Sequence, residues 1–560
     1  MSKQARKCSP SPLHTRRSYS RAHSALTAII GSATALSTLV GCSFAAAGNL
    51  ETPSLQDQLP SAAADIDHLN WALPAGEPPS LNPVMNVDYS STFVISQLCD
   101  TPLQMNPDYS VSDNLVSATQ LDDLAVELRL IADATFWDGT PVTTEDIAYS
   151  LRRAAAPDAL VSFVYANVAS IDVTGEKTVT VRFSAPDELF LKELATPVAA
   201  IFQKAHAEKA GAEFGTAAGG IMCSGPFALD TWNPGSAIEL IRNENYWNPR
   251  YRAHSTSATL SFVTDSSALT QALASGQIDG AYEVPPSVIP ALQKSTTGTV
   301  YYGPAPQTVG LFVARPDGPL ADFDLRRALA LAIDRQALLK AAFNGAGTEN
   351  YTMVGASTWD INARHIWEAA NAEYVQRNAF DTDEARNLVQ NSSYAGASIV
   401  LAIKSGDETQ SRVAQVIQQQ GRDIGLDVTI DKVQPLEFAQ MQYDPVARAG
   451  IDLLLASSFT ATPSDPLESI GFSIADGGPY NYTNFRDETA FDLVSRARQT
   501  FDPAARATML TQAQQRWEQS YMASTLVNLY EVSYLNNSYS GATTSFSYLF
   551  TPSLALIGAR

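Results

Sequence analysis

Alternating apolar and polar positions mark residues 123–130 (DLAVELRL) and 177–183 (KTVTVRF) as half-buried strands. Shorter strands are expected at 66–74, 115–117, 170–173 and 238–242, and a wholly apolar one at 451–455. Helical spacing appears at 144–154, where Ile147, Leu151 and Ala154 share a face. Thr144 is the expected N-cap there. Glu145 and Asp146 follow it, with Arg152 and Arg153 further along, as the helix dipole favours. Residues 323–343 (FDLRRALALAIDRQALLKAAF) carry Leu325, Leu329, Ile333, Leu338 and Leu339 at the same spacing and predict one long helix. Its Arg326, Arg327 and Arg335 are expected to be solvated or locally paired. Residues 413–430 read as helix, glycine and strand; 505–520 read as a helix followed by a strand at 525–530. Gly276 closes a helix that runs into a strand. Strands and helices alternate along most of the chain, which predicts an α/β fold.

Breaks in the pattern matter as much. Residues 77–83 (EPPSLNP) bracket Leu81-Asn82 with prolines, so neither helix nor central strand can form. A fixed loop after a strand end is where ligand contacts often sit. Asp138-Gly139 and Trp232-Asn233-Pro234-Gly235 are turns. No short-period repeat is present.

The N-terminus departs from all of this. Six basic and no acidic residues precede or fall within 1–42, and an uncharged run from Ala25 to Val40 is short for a membrane span but suits an export signal. The run ends in Leu39-Val40-Gly41-Cys42, which resembles a bacterial lipobox with Cys42 as the lipidated residue. Cleavage after Ala45-Ala46-Ala47 is the alternative, and Arg16-Arg17 matches a twin-arginine signal only in part. Residues 43–64 are small and polar and read as a flexible tether. Without residues 1–42 the formal charge falls from −21 to −27. A body that acidic repels phosphate backbones, which argues against nucleic-acid binding. Beyond Cys8 and Cys42 only Cys99 and Cys223 remain; in an exported chain they are expected to form a disulfide, the alternative being two buried thiols. The four histidines past residue 42 (His68, His206, His254, His365) form no i,i+4 pair. No H-E-x-x-H, C-x-x-C, G-x-S-x-G or Walker loop occurs, so neither a catalytic residue nor a metal ligand is singled out, no cofactor is expected, and the chain is not read as an enzyme.

Five stretches, in order, resemble the family 5 extracellular solute-binding proteins, the peptide- and nickel-binding receptors of ABC importers. They are residues 136–153 (FWDGTPVTTEDIAYSLRR), 221–247 with its SGPF, WNPG and IELIRNENYW segments, 272–279 (ALASGQID), 323–343, and 480–486 (YNYTNFR). The 77–83 loop resembles the family's SLDP loop with Asn82 in place of Asp, and the resemblance implies that Glu77 contacts ligand backbone, the alternative being an exposed loop carboxylate. The resemblance implies a type II periplasmic-binding-protein-like fold: two lobes with a hinge, plus an extra small domain. The implied boundaries are lobe I at 65–110 and 185–300, the small domain at 111–184, lobe II at 301–504, and a return to lobe I over 505–560. It also implies a lipid-anchored receptor on the outer face of the bacterial cell membrane, monomeric, that hands a peptide or other small solute to ABC permease and ATPase subunits. The alternative is an envelope lipoprotein of the same fold that senses a glycolipid and has no transport partner.

In peptide-binding members an acidic residue in a turn ending D/E-P neutralises the peptide's amino terminus. Here that turn is residues 461–466 (ATPSDP): Asp465 matches its end, while Thr462 holds the amine-binding position. A hydroxyl does not balance an ammonium, so free-amine recognition is in question unless Asp465 or Glu77 compensates, and Thr462→Asp is expected to strengthen binding of free-amine peptides. Phe438, Phe459, Tyr480, Tyr482 and Trp232 are aromatic cleft candidates, Phe459 and Tyr482 foremost.

Overall fold

The computed structural model describes residues 52–560 except 86–87, 132, 316, 395, 397, 461, 463–464, 476–477, 479–480 and 482. The expected signal, Cys42, Tyr480 and Tyr482 lie outside the described residues. Residues 50–560 form one compact unit.

One large mixed sheet organises that unit. From one edge its strands run Asp427–Val433, Ser398–Lys404, Leu453–Phe459, Gly298–Val313, Ala523–Asn536, Gly280–Ala281, Ile66–Leu73, Ser255–Phe262, Ala237–Arg242 and Phe227–Asn233. Two of these are long enough to belong to both ends. Residues 298–303 pair with 531–536, and residues 307–312 pair with 523–529. The register shifts between Gly303 and Gln307, where the chain reads Pro304-Ala305-Pro306. Neither proline has an N–H to give, so the ladder stops and restarts, and the interruption lets the sheet bend. One half is built on the parallel pair Ile66–Leu73 and Ser255–Phe262; the other on the parallel pair Ser398–Lys404 and Asp427–Val433.

Each half has its own apolar core. The first gathers Leu69, Trp71, Phe93, Leu98, Phe227 and Leu260. The second gathers Leu311, Leu325, Leu338, Ile399, Leu401 and Val428, and a satellite core packs Trp367, Leu467, Ile470 and Trp517 together. Within 111–184, a four-stranded antiparallel sheet (Val116–Asp122, Ala125–Leu130, Thr178–Phe183, Val168–Gly175) carries the helix Thr144–Ala154. Leu128, Val179, Val181, Ile147 and Leu151 of this unit are buried in the same core as Leu69 and Phe227, so it is an extension of the first half. Its helix is capped by Thr143, one residue before the expected Thr144. Thr143 and Asp146 form a reciprocal capping box that ties both ends of the first turn.

Several expectations need adjusting. Residues 323–343 are two helices, Phe323–Ala332 and Arg335–Phe343, because Ile333 is extended and Asp334 caps the second by accepting from the Ala337 N–H at 2.9 Å. Arg326 and Arg335 are buried, not solvated. Arg326 donates to the carbonyls of Leu320 (2.8 Å), Ala321 (2.9 Å) and Ser520 (3.0 Å). Arg335 donates to those of Asn350 (3.0 Å) and Thr525 (2.9 Å) and lies 4.1 Å over the Tyr351 ring. Each guanidinium thus spends its donors on backbone carbonyls. Only Arg327 pairs locally, with Glu384 at 3.3 Å. Residues 52–64, expected as a tether, lie along the body: Gln56 donates to the Tyr302 carbonyl, Ala63 to that of Ala559, and Leu59 is buried. The helix Pro503–Glu518 packs in the satellite core, so the chain returns to the first half inside the strand Ala523–Asn536, later than residue 505. Cys99 and Cys223 are bonded, with Cα atoms 4.9 Å apart, and fasten the end of the helix Tyr89–Leu98 to the turn that opens the 227–242 hairpin.

Candidate functional site

A cavity of about 250 Å³ opens between the two halves. The long strands supply one wall, with Thr308, Gly310 and Phe312 from one and Ala523 and Thr525 from the other, continued by Ala456 to Phe459. Tyr89, Thr92 and Ile95, one face of the helix Tyr89–Leu98, stand opposite with Pro83 and Phe550. Glu468, Ser469, Phe472 and Ser473 form one face of the helix Leu467–Ile474. Phe163, Val164 and the segment from Glu193 to Val198 close the far side.

Aromatic pairs stiffen the walls. Tyr89 and Phe459 rings lie 4.9 Å apart, and Phe163 meets Phe472 edge-on at 4.7 Å. These two contacts join residues of opposite walls, so the cavity is already narrow.

The predicted site residues separate clearly by position. Phe459 lines the cavity. Glu77 is exposed and spends both oxygens on the 227–242 hairpin, accepting from Trp232 Nε1 at 2.8 Å and from the Gly235 N–H at 2.9 Å. It and Trp232 hold a turn and do not line the cavity. Phe438 is buried with Ala402, Met441 and Leu454 in a separate cluster. Thr462 is fully buried, and its hydroxyl and its N–H both donate to Glu468 Oε2 at 2.7 Å. Its oxygen is thereby turned to an internal partner. Asp465 is buried between two cations: Lys192 donates to it at 2.5 Å, and Arg506 bonds the same oxygen. Burial alone would raise the Asp465 carboxyl, but the Lys192 and Arg506 charges outweigh it and hold it well below the usual range. Glu188 joins the cluster at 2.7 Å from Arg506 and 3.2 Å from Lys192, and burial pushes it up to about 7. Asp465 is therefore engaged in a structural ion network and has no charge to spare for a ligand.

Sequence reasoning missed the carboxylates that do reach the cavity, Glu193 and Glu468. Glu193 is 2% exposed, and neither of its oxygens has a hydrogen-bond partner among the described residues. Burial, and next the negative field of Glu468, push its carboxyl well above the usual range. A signal was present: Lys192-Glu193 interrupts an otherwise apolar or small-residue run, 189–202 (LFLKELATPVAAIF). A charged pair in such a run has to be partnered or used. Among the described residues no cluster of three His, Cys, Asp or Glu could hold a metal ion, and no helix is long and apolar enough to cross a membrane.

Two α/β halves joined by crossing strands, with a cavity between them, define the type II periplasmic-binding-protein fold. The chain belongs to the bacterial extracellular solute-binding proteins, family 5: the model of that family's middle region matches residues 114–479. The glutathione-binding protein GsiB of Escherichia coli (strain K12) is 25% identical over 420 residues, 74% of this chain and 78% of its own. Among solved structures, AgaA from A. tumefaciens R10 in complex with agropinic acid superposes with a TM-score of 0.73 at 22% identity, covering 88% of this chain and 98% of its own. The oligopeptide-binding protein AppA of Bacillus subtilis, in complex with a nonapeptide, gives 0.73 at 19% identity over 89% and 99%.

Proposed function

We propose that this protein is an extracytoplasmic receptor that captures a small solute between its halves and delivers it to an ABC importer, anchored outside the cell membrane through a lipid on Cys42. The observation that carries this reading is the cavity itself, set where the two crossing strands leave one half for the other. A solute bound there touches both halves at once and favours the closed arrangement over an open one by its differential affinity. The volume of about 250 Å³ lies just under the roughly 300–1,000 Å³ of typical small-molecule pockets. That supports a compact solute over a long peptide, and over the glycolipid of an envelope sensor.

Relatives named for glutathione, agropinic acid and oligopeptides show how varied the cargo of this family is. Nothing in the walls demands catalysis. Solute recovered from the purified protein and added back at 100 times its dissociation constant is expected to stabilise it by about 2.7 kcal/mol. An unchanged melting temperature with every recovered solute would contradict the reading.

A further inference from the structure

The cavity contains a buried carboxylate that the protein leaves unsatisfied. Both oxygens of Glu193 lack a donor among the described residues, although the side chain is almost fully enclosed. An unpartnered buried polar group costs several kcal/mol and calls for an explanation. The nearby cations do not supply one. Arg498 gives two bonds to Asp187, at 2.8 and 3.0 Å, and one to the Val164 carbonyl. Lys192 and Arg506 are held by Asp465 and Glu188.

The cavity walls carry two carboxylates and, among the described residues, no lysine, arginine or histidine. Aromatic faces from Phe163, Phe459 and Phe472 surround the same space, and aromatic faces attract cations. Every feature of this lining is suited to positive charge on the solute.

We infer that the cavity selects a solute carrying a compact cationic group, an ammonium or an amidinium, which docks on Glu193 with Glu468 adding to the negative field, while an apolar body lies against the aromatic walls. This rests on the receptor reading and adds the chemical class of the cargo. The charged and titratable groups that act on Glu193 include Glu468, Asp187 and Asp465, the phenol of Tyr165, and the cation Arg498. Burial and these mostly negative neighbours raise the Glu193 carboxyl well above its usual range. A docked cation opposes that shift and favours the ionised form, so binding releases protons and tightens as pH rises.

Titration calorimetry on the solute-free full chain tests this, with phenethylamine as the ammonium probe, benzamidine as the amidinium probe and N-acetylphenethylamine as the neutral control, at pH 6 and pH 8. At least one cation is expected to bind about thirtyfold or more tightly than the neutral control, more tightly at pH 8 than at pH 6, and with proton release. Which of the two binds distinguishes an ammonium cargo from an amidinium one. Glu193→Gln is expected to weaken that cation about thirtyfold or more and to leave the neutral control unchanged. The wild-type pH dependence needs no variant, so the test survives a misfolded Glu193→Gln. Equal binding of neutral and cationic probes, binding of none of them, or cation binding that is indifferent to pH and to Glu193→Gln overturns the inference. A recovered solute that lacks a cationic group and binds wild type and Glu193→Gln equally overturns it too, while leaving the receptor reading intact.

Discussion

At the scale of single residues, Thr462 and Asp465 are each committed to partners inside the protein. Thr462, expected at the amine-binding position, gives both its N–H and its hydroxyl to Glu468. That arrangement reverses the consequence first expected of Thr462→Asp. A second carboxylate in this buried spot would stand where Thr462 now donates to Glu468 and would repel it. It is expected to cost about 3–5 kcal/mol of stability rather than to create an amine site. Urea unfolding of the variant measures this; unchanged stability with tighter peptide binding would reinstate the amine-site reading. Asp465 was legible as a functional-looking acid because Asp-Pro ends the motif, but its two cations come from 192 and 506, which sequence proximity does not reveal. Glu193 was legible only as a charge within the apolar run 189–202; that it is buried with no hydrogen-bond partner among the described residues is a property of the assembled walls.

At the scale of elements, most strands and helices were legible from periodicity, and the misses have physical causes. The 323–343 stretch keeps helical spacing through a real break, since Asp334 can cap a new helix without disturbing the apolar stripe. The crossing strand Gly298–Val313 contains Pro304 and Pro306, which argue against a strand, and it survives because its register is interrupted there. The expected disulfide is present: the fold brings Cys99 and Cys223 together across 124 residues. Closing a loop that long restricts the unfolded chain, an effect on the order of 4–5 kcal/mol in the chain-entropy model. The double variant Cys99→Ser with Cys223→Ser is expected to lose about 2–5 kcal/mol in denaturant unfolding. Loss of less than about 1 kcal/mol would show that the bond does not brace the first half.

At the scale of the whole molecule, buried acids set the response to pH. Burial pushes Glu283 up to about 7 and Glu518 up to about 8, and Glu531 well above its usual range. Their unfolded values lie near 4.3. Between that value and about 8 the folded chain therefore holds more protons than the unfolded one, and stability falls as pH rises. The acidic net charge, −21 over the full sequence, adds self-repulsion in the same direction. The melting temperature is expected to be higher at pH 5.5 than at pH 8, and Glu518→Gln is expected to flatten the difference. A melting temperature that rises steadily from pH 5.5 to 8 would contradict this.

The central claim is that a small solute occupies the cavity between the halves. Native mass spectrometry of the purified wild type beside Ser457→Trp tests it most directly, because Ser457 faces that cavity from the strand Leu453–Phe459 and an indole there fills the space. One equivalent of a small solute is expected on the wild type, lost on unfolding, and none on a folded Ser457→Trp. The same solute retained by both proteins would place its binding elsewhere and rule out the cavity as its site.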